Sequence, residues 1–432
     1  KYKPNKNLQL EFTSSSFTTF EQENFDILGE YWLYQLDNNL GSDNFGNIAF
    51  DRGVGKYINH ARNNLNASVI NFSHKGDYKN ETLQFKWGLK IQKEEIKDNI
   101  SEWNLIDSAF FNFPHPNDNI GGNADPNQQI IMNELLKTNI NLSSYRNSGY
   151  MQFTKDLNNI TIDAGTRASY WTYNEELLLS PRLSIAYAPL WEKDIVLRCA
   201  TGIYYQSPFY RELRNTNGQL NHEIKAQKSS HFVFGSDYLF YSWGRPFKWI
   251  SEIYYKNLQD LIPYKVDNVR IQYLAENKSN GYATGIDMKL NGEFVPGVES
   301  WASLSIMKTE EDIEGDYYLD ENGVKIEPGF IPRPTDQRVN FSMFFQDYIP
   351  TKPNYKMHLN LIYGTGLPFG PPKAEKYQDI LRIPDYRRVD IGFSAGLKSS
   401  EKKSKIKWVN AFNSIWISAE VFNLLDINNT VS

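Results

Sequence analysis

Between Tyr386 and Lys398 apolar and polar positions alternate with a period of two. Val389, Ile391, Phe393, Ala395 and Leu397 are apolar, whereas Arg388, Asp390, Gly392, Ser394, Gly396 and Lys398 are charged, small or hydroxylic. Successive strand side chains point to opposite faces, so this period predicts a strand with one apolar face and one wet face. The pattern recurs at 145–156, 160–173, 182–188, 195–206, 232–241, 248–257, 281–291, 301–309, 338–348, 355–364 and 415–425. In 160–173 the apolar set is Ile162, Ala164, Ala168 and Tyr170, opposite Thr161, Asp163, Gly165, Arg167 and Ser169. In 355–364 it is Tyr355, Met357, Leu359, Leu361 and Tyr363, opposite Lys356, His358 and Asn360. A dozen such strands, each long enough to cross a bilayer at a tilt, predict a transmembrane barrel.

The first 140 residues are less regular. Strands are expected at 8–17, 26–36, 61–72 and 82–91, separated by Gly/Asn/Asp-rich loops such as 38–55. Residues 107–141 hold FPHPNDNIGGNADPN and a helix-compatible run near 130–137, and their length marks a surface or functional loop.

The connections alternate as well. Those at 157–159, 189–194, 242–247, 293–300 and 349–354 are short, and between them lie long polar loops at 207–230, 258–280, 310–337 and 367–385. Short turns at one rim and long loops at the other are the barrel pattern, with the long loops outside the cell. Trp191, Trp243, Trp249, Trp301 and Tyr348 fall near the short-turn rim, where an aromatic girdle belongs.

Composition supports a large antiparallel transmembrane β-barrel over a soluble all-β fold. Aromatic residues make up 15% of 432, while apolar residues reach only 40% and mean hydropathy is -0.56. Aromatic girdles, an apolar lipid band and a polar interior produce that combination. No run of ~18 apolar residues supplies a transmembrane helix, so any membrane span must be a closed sheet. The net charge of -5 carries no basic stripe for nucleic acid. Cys199 is the lone cysteine, which rules out a disulfide or thiolate metal site within the chain. No signal peptide precedes Lys1, so the chain reads as a mature piece of a longer protein. Residues 1–432 read as one domain without a linker or repeat.

Several segments together resemble a known family. PRLSIAYAP from Pro181, GIYYQSPFYRELRN from Gly202, NGYATGIDMKL from Asn280, RPTDQRVNFSMFFQDY from Arg333, YGTGLPFGPP from Tyr363 and DYRRVDIGFSAGL from Asp385 resemble successive barrel segments of TonB-dependent outer-membrane receptors of the Bacteroidetes type. HARNNLNASV from His60 and VFNLLDINN from Val421 are similar to earlier and later pieces of that barrel. The resemblance implies an integral outer-membrane protein of a Gram-negative bacterium. Its 22-stranded barrel would meet lipid and lipopolysaccharide, enclose an N-terminal plug and import a scarce ligand when TonB pulls that plug. It also allows a surface lipoprotein or other outer-membrane subunits as partners. Nothing in the chain resembles the plug, and about 16 or 17 strands are fewer than 22, so the barrel is expected to be incomplete, without its plug and final strand.

Catalytic signatures are absent: the six His are scattered, and no HExxH, GxSxG or phosphate loop occurs. Neither an enzyme activity nor a cofactor is expected. Ligand-binding candidates lie in the predicted outer loops. Tyr204, Phe209 and Tyr210 beside Arg211 and Arg214 suit stacking on a sugar or holding an anion, or simply an aromatic girdle with rim charges. Tyr317 and Tyr318 sit within the acidic cluster Glu310, Glu311, Asp312, Glu314, Asp316, Asp320 and Glu321, which suits a cationic ligand or a solvated loop and lacks calcium-loop spacing. The interior set Asp163, Arg167, Arg182, Arg198, Glu252, Lys256, Asp287, Lys289, Arg338, Arg388 and Asp390 mixes both signs and reads as ion pairs along the wall. Three functions stay open: a TonB-dependent transporter of a glycan, siderophore, cobalamin or peptide, a receptor-like structural subunit of a larger complex, and a passive porin. The sequence upstream of Lys1 would separate them.

Overall fold

The alternating stretches join into one antiparallel sheet. The computed structural model describes residues 1–107, 131–267, 270–320, 322–349, 352–370, 380–398 and 407–429. Its strands are β1 (Leu8–Leu36), β2 (Ile48–Lys79), β3 (Leu83–Asp107), β4 (Ile131–Leu157), β5 (Ile160–Trp171), β6 (Glu176–Tyr187), β7 (Asp194–Gln206), β8 (Gln227–Ser242) and β9 (Arg245–Leu261). A small hairpin, β10 (Tyr264–Asp267) and β11 (Arg270–Tyr273), precedes β12 (Ser279–Val295) and β13 (Val298–Ile313). The short β14 (Tyr318–Leu319), β15 (Lys325–Ile326) and β16 (Ile331–Pro332) lead into β17 (Val339–Ile349) and β18 (Lys352–Gly364). Another short pair, β19 (Pro368–Phe369) and β20 (Leu381–Arg382), precedes β21 (Tyr386–Lys398) and β22 (Ile415–Val421). The main sheet runs β1 to β9, then β12, β13, β17, β18, β21 and β22, with β16 alongside β13. Among the described residues β1 and β22 do not pair, so the sheet is not closed.

Register sorts the side chains onto two faces. Ile185, Cys199, Phe234, Ile253, Ile286, Ile306 and Val339 stand opposite one another in a single cross-strand row. Phe234 and Ile253 in that row are more than half exposed. A continuous apolar row left exposed requires an apolar surrounding, which a bilayer supplies. Ile162 joins this face through Ile185, and Leu359 and Leu361 stand opposite Ile391 and Val389. The expected lipid-facing set thus shares one face. On the other, Arg198 and Lys248 pair with Asp237 at 2.6 and 2.8 Å. Asp163 accepts hydrogen bonds from Gln152 and Thr154, each at 2.6 Å.

Both rims follow the expected asymmetry, with two exceptions: the connection from β21 to β22 on the short-turn side is long, spanning 399–414, and one turn on the other side is short. Residues 172–175 make a tight turn on the long-loop side, where Glu175 takes φ +55. At the short-turn rim the register turns Trp301 and Tyr348 inward, because their neighbours Ala302 and Phe345 occupy the apolar face. Trp191, Trp243 and Trp249 of the expected girdle are exposed there, and beneath them lies Phe247, which covers Gly292 and meets Phe240, Trp243 and Phe294 at ring distances of 5.6, 5.9 and 5.1 Å. Any side chain at Gly292 would displace that ring.

The first third departs most from expectation. The strands read at 8–17 and 26–36 are one strand of 29 residues, because the residues between them continue the ladder with β2 from Thr18↔Ser68 to Phe25↔Ala61. The loop read at 38–55 ends sooner, with β2 beginning at Ile48. The run at 131–137 is not helical but opens β4, whose Leu136 and Lys137 pair with Glu102 and Ser101. The FPHPNDNIGGNADPN stretch lies outside the described residues.

Strands β1 to β4, at 25 to 32 residues, are far longer than the ~9–11 residues that cross a bilayer. Midway along them the face that below is apolar turns polar, with Thr18, Ser68, Glu95 and Ser143 in one row and Gln22, Asn64, Asn99 and Asn139 in another, before Leu28, Ile58 and Leu105 make an apolar row further out. Strands of this length extend past the ~9–11 residues that a bilayer covers, so part of this wall stands outside it.

Candidate functional site

Two long loops fold back against the interior of the wall and make its core. Leu213 and Ile224 of loop 207–226 pack with Ile262 and Ala275 of loop 262–278 and with Leu142 and Trp171 of the wall. Leu213 and Ala275 are wholly buried. Removing such surfaces from water stabilises by roughly 1.5–3 kcal/mol per large side chain, so this lid is packed rather than loosely solvated. Sequence periodicity gives no sign of it, since the apolar residues come from four separate segments.

Polar contacts fix the lid to β3 and β4 of the wall. The Tyr210 hydroxyl donates to Asp98 Oδ2 at 2.6 Å, and Arg214 pairs with the same oxygen at 3.3 Å. Arg146 pairs with Glu94 at 3.0 Å, donates to the Pro208 carbonyl at 2.8 Å and lies 3.7 Å above the Trp171 ring. The loops are tied to each other by Asn221, donating to the Ala275 carbonyl at 2.8 Å, and by Asn277, which binds both the Lys225 N–H and its carbonyl. Burial and the neighbouring Asp98 push the Tyr210 hydroxyl well above its ordinary range. The Glu212 carboxyl is also raised, chiefly by burial, against bonds from the Phe209 N–H at 3.1 Å and Gln227 at 3.0 Å.

A cavity of about 480 Å³ opens between lid and wall, lined by Tyr210, Arg211, Arg214 and Tyr273 and, from the wall, by Glu21 and Asp98. Three sequence candidates therefore meet in one recess. Phe209 is nearby, edge-on to Tyr273 at 5.6 Å. Tyr204 lies lower, on the wall, stacked on His231 at 4.3 Å.

Tyr317 and Tyr318 belong to a different loop. Tyr317 is half exposed with Lys325 4.5 Å above its ring, and Tyr318 is in β14. The acidic cluster is divided: Glu310 accepts from Tyr282 at 2.5 Å and pairs with Lys308 at 2.9 Å, while Glu311 is buried beside Ser279 and Arg333. Asp320 caps a turn by accepting the N–H groups of Asn322 and Val324. Glu321 is outside the described residues.

Two motif residues gain a structural account. Asp336 of RPTDQR is wholly buried, accepts the Thr309 N–H at 2.8 Å and pairs with Arg338 at 2.7 Å and with Arg382. Asp390 of DYRRVDIGF accepts from Arg388 at 2.7 Å and from the Asn423 N–H at 2.9 Å, joining β21 to VFNLLDINN.

A sheet with an exposed apolar face, a charged interior, one rim of short turns and one of folded loops defines the wall of a large membrane barrel. The profile of the family described as TonB dependent receptor-like, beta-barrel matches residues 2–424, and the chain belongs to that family. Its fold is similar to the outer membrane transporter YddB from Escherichia coli, with TM-score 0.57 and 11% identity over 99% of this chain and 64% of that one. It is also similar to the ferric citrate transporter FecA, with TM-score 0.57 and 11% identity over 100% and 56%. The RagAB peptide transporter gives TM-score 0.55 and 10% identity over 98% and 56%. The chain thus spans between half and just under two thirds of these structures. No curated protein matches it by sequence.

Proposed function

We propose that this chain is the wall of a TonB-dependent transporter in the outer membrane of a Gram-negative cell, importing a scarce ligand captured at its loop-covered mouth. The observation that carries this reading is the lid, which packs against the interior of the wall and leaves a recess lined by Tyr210, Arg211, Arg214 and Tyr273 on the loop side and by Glu21, Asp98 and Glu102 on the wall side. Recesses of this size with a few convergent polar groups are where small ligands bind. Lipid and lipopolysaccharide would surround the apolar face, and TonB would act through a plug elsewhere in the protein. A passive pore has less support, because two long loops pack inward against the wall instead of standing clear of the interior.

The projecting halves of β1 to β4 favour a second reading, a receptor-like subunit whose wall docks against a surface lipoprotein or another outer-membrane protein. Deletion of this gene and of tonB, each followed by depletion profiling of the same medium, separates the two. Transport predicts one nutrient class left unconsumed in both deletions. Unchanged consumption, with a stoichiometric partner recovered from native membranes whether or not TonB is present, would replace transport with the subunit reading.

A further inference from the structure

The recess between lid and wall has sides of unlike charge and an apolar floor. Register sets Glu21 opposite Leu65, and Leu65 opposite Asp98, on the interior face. Glu21 and Asp98 therefore stand two strand spacings, ~10 Å, apart. Leu65 between them and the buried Ile100 line the recess as its apolar part, and Tyr210 and Tyr273 line it from the loops.

Most charges in the recess already have partners. Asp98 is held by the Tyr210 hydroxyl and by Arg214, and Glu23 and Glu102 both accept from the Asn63 amide, at 3.2 and 2.6 Å. Two charges differ from these. Glu21 of β1 and Arg211 of the short turn Tyr210–Leu213 both line the recess, yet neither makes an ion pair or a side-chain hydrogen bond among the described residues. Arg211 is held on the loop side by its neighbour Tyr210, which Asp98 fastens, so it stands beyond ion-pair distance of Glu21. An exposed carboxylate and an exposed guanidinium share one cavity without meeting.

The geometry points to a small dipolar ligand of the amino-acid type with separated charges: an ammonium end at Glu21, an apolar chain over Leu65 and Ile100, and a carboxylate end at Arg211. A guanidinium takes the two oxygens of a carboxylate as a pair, and tyrosine faces favour a nearby cation. The carboxylates Glu21, Glu23, Asp98 and Glu102 outnumber Arg211 and Arg214 in the lining. The ammonium is therefore the stronger anchor, and a ligand carrying only negative charge is repelled. This deepens the transport reading and rests on it for its use, while the binding itself is measured without transport.

The experiment is calorimetric titration of the full-length protein in lipid nanodiscs, with empty nanodiscs as blank. Three probes are compared: ε-aminocaproate, its methyl ester, which lacks the carboxylate, and its N-acetyl derivative, which lacks the ammonium. Saturable binding should be tightest for ε-aminocaproate, weaker for the ester and weakest for the acetyl derivative. Glu21→Gln should weaken ε-aminocaproate and the ester about tenfold or more. Arg211→Gln should weaken ε-aminocaproate and leave the ester unchanged. Heat-modifiable gel mobility and protease resistance of 207–226 verify that each variant keeps its barrel and its lid. The site is overturned if ε-aminocaproate does not bind saturably, if the acetyl derivative binds as well, or if either variant binds all three probes as the unaltered protein does. Binding by a protein whose loss changes no nutrient consumption would leave the site standing and remove the transport reading. A nutrient left unconsumed, with no probe bound, would do the reverse.

Discussion

Tyr210 and Asp98, 112 residues apart in sequence, share a 2.6 Å hydrogen bond that fastens an outer loop to β3 of the wall. Asp98 is almost wholly buried. Tyr210→Phe leaves its carboxylate with Arg214 alone, a loss of ~1–3 kcal/mol in lid docking. Hydrogen exchange at 207–226 should accelerate roughly five- to a hundredfold while exchange in β5 to β9 stays unchanged. Equal protection in the variant would mean that the bond does not hold the lid.

Leu213 is wholly buried at the centre of the same lid. Truncation to alanine removes contact and leaves a cavity, typically ~2–5 kcal/mol. Because the strand ladders are independent of it, Leu213→Ala should make 207–226 protease-sensitive without altering heat-modifiable mobility. Loss of both together would show that lid and barrel fold as one unit.

Ile391 shares a row with Leu359 on the apolar face, whereas Ser394 bonds the Ser418 hydroxyl on the other. Ile391→Arg should destabilise by ~2–4 kcal/mol near the bilayer midplane, and Ser394→Arg much less. Urea titrations in liposomes compare them, and equal effects would invert or abolish the face assignment.

Glu212 gives the lid a pH dependence. Burial raises its folded carboxyl pKa above the unfolded value, so its contribution is complete below the unfolded pKa and is lost as pH rises through the folded one. A spin label at Asn217 should become more mobile as pH rises from the acidic side, and Glu212→Gln should flatten that response. A label that tightens with rising pH would contradict the assigned sign.

Asp336 has two arginines and a backbone N–H on one buried carboxylate. Asp336→Ala leaves the buried Thr309 N–H unpaired and removes a partner from two partly exposed arginines, of which Arg338 keeps Glu310, a loss of ~1–3 kcal/mol. Thermal unfolding of the barrel should shift down, with Asp336→Asn intermediate. An unchanged midpoint would show that the arginines find other partners.

Strand faces and rims were legible because they depend on local alternation: Val389, Ile391 and Phe393 carry their orientation in their spacing. Long β1 was not, since its middle, TTFEQENF, alternates weakly and is held by the ladder with 61–68. Nor was the lid, because Leu213, Ile262 and Trp171 meet only after the wall brings them together. Tyr210, Arg211 and Arg214 were legible as aromatic and basic loop residues, but their partner Asp98 resembled any charged residue of an irregular segment. The acidic cluster misled in the opposite way: adjacent in sequence, Glu310 and Glu311 point to different faces of β13 and answer different partners.

Everything above requires that one face of the sheet meet lipid and the other a watery interior. Cys199, the lone cysteine, lies on the apolar row, and Ala200 beside it faces inward. The decisive measurement labels Cys199 and, separately, Cys199→Ser/Ala200→Cys in proteoliposomes with a neutral fluorescent maleimide, then adds nitroxide-bearing lipids. Quenching should be strong at 199 and weak at 200, and a charged methanethiosulfonate should block labelling only at 200. Equal quenching at both positions, or stronger quenching at 200, would contradict the barrel wall described here.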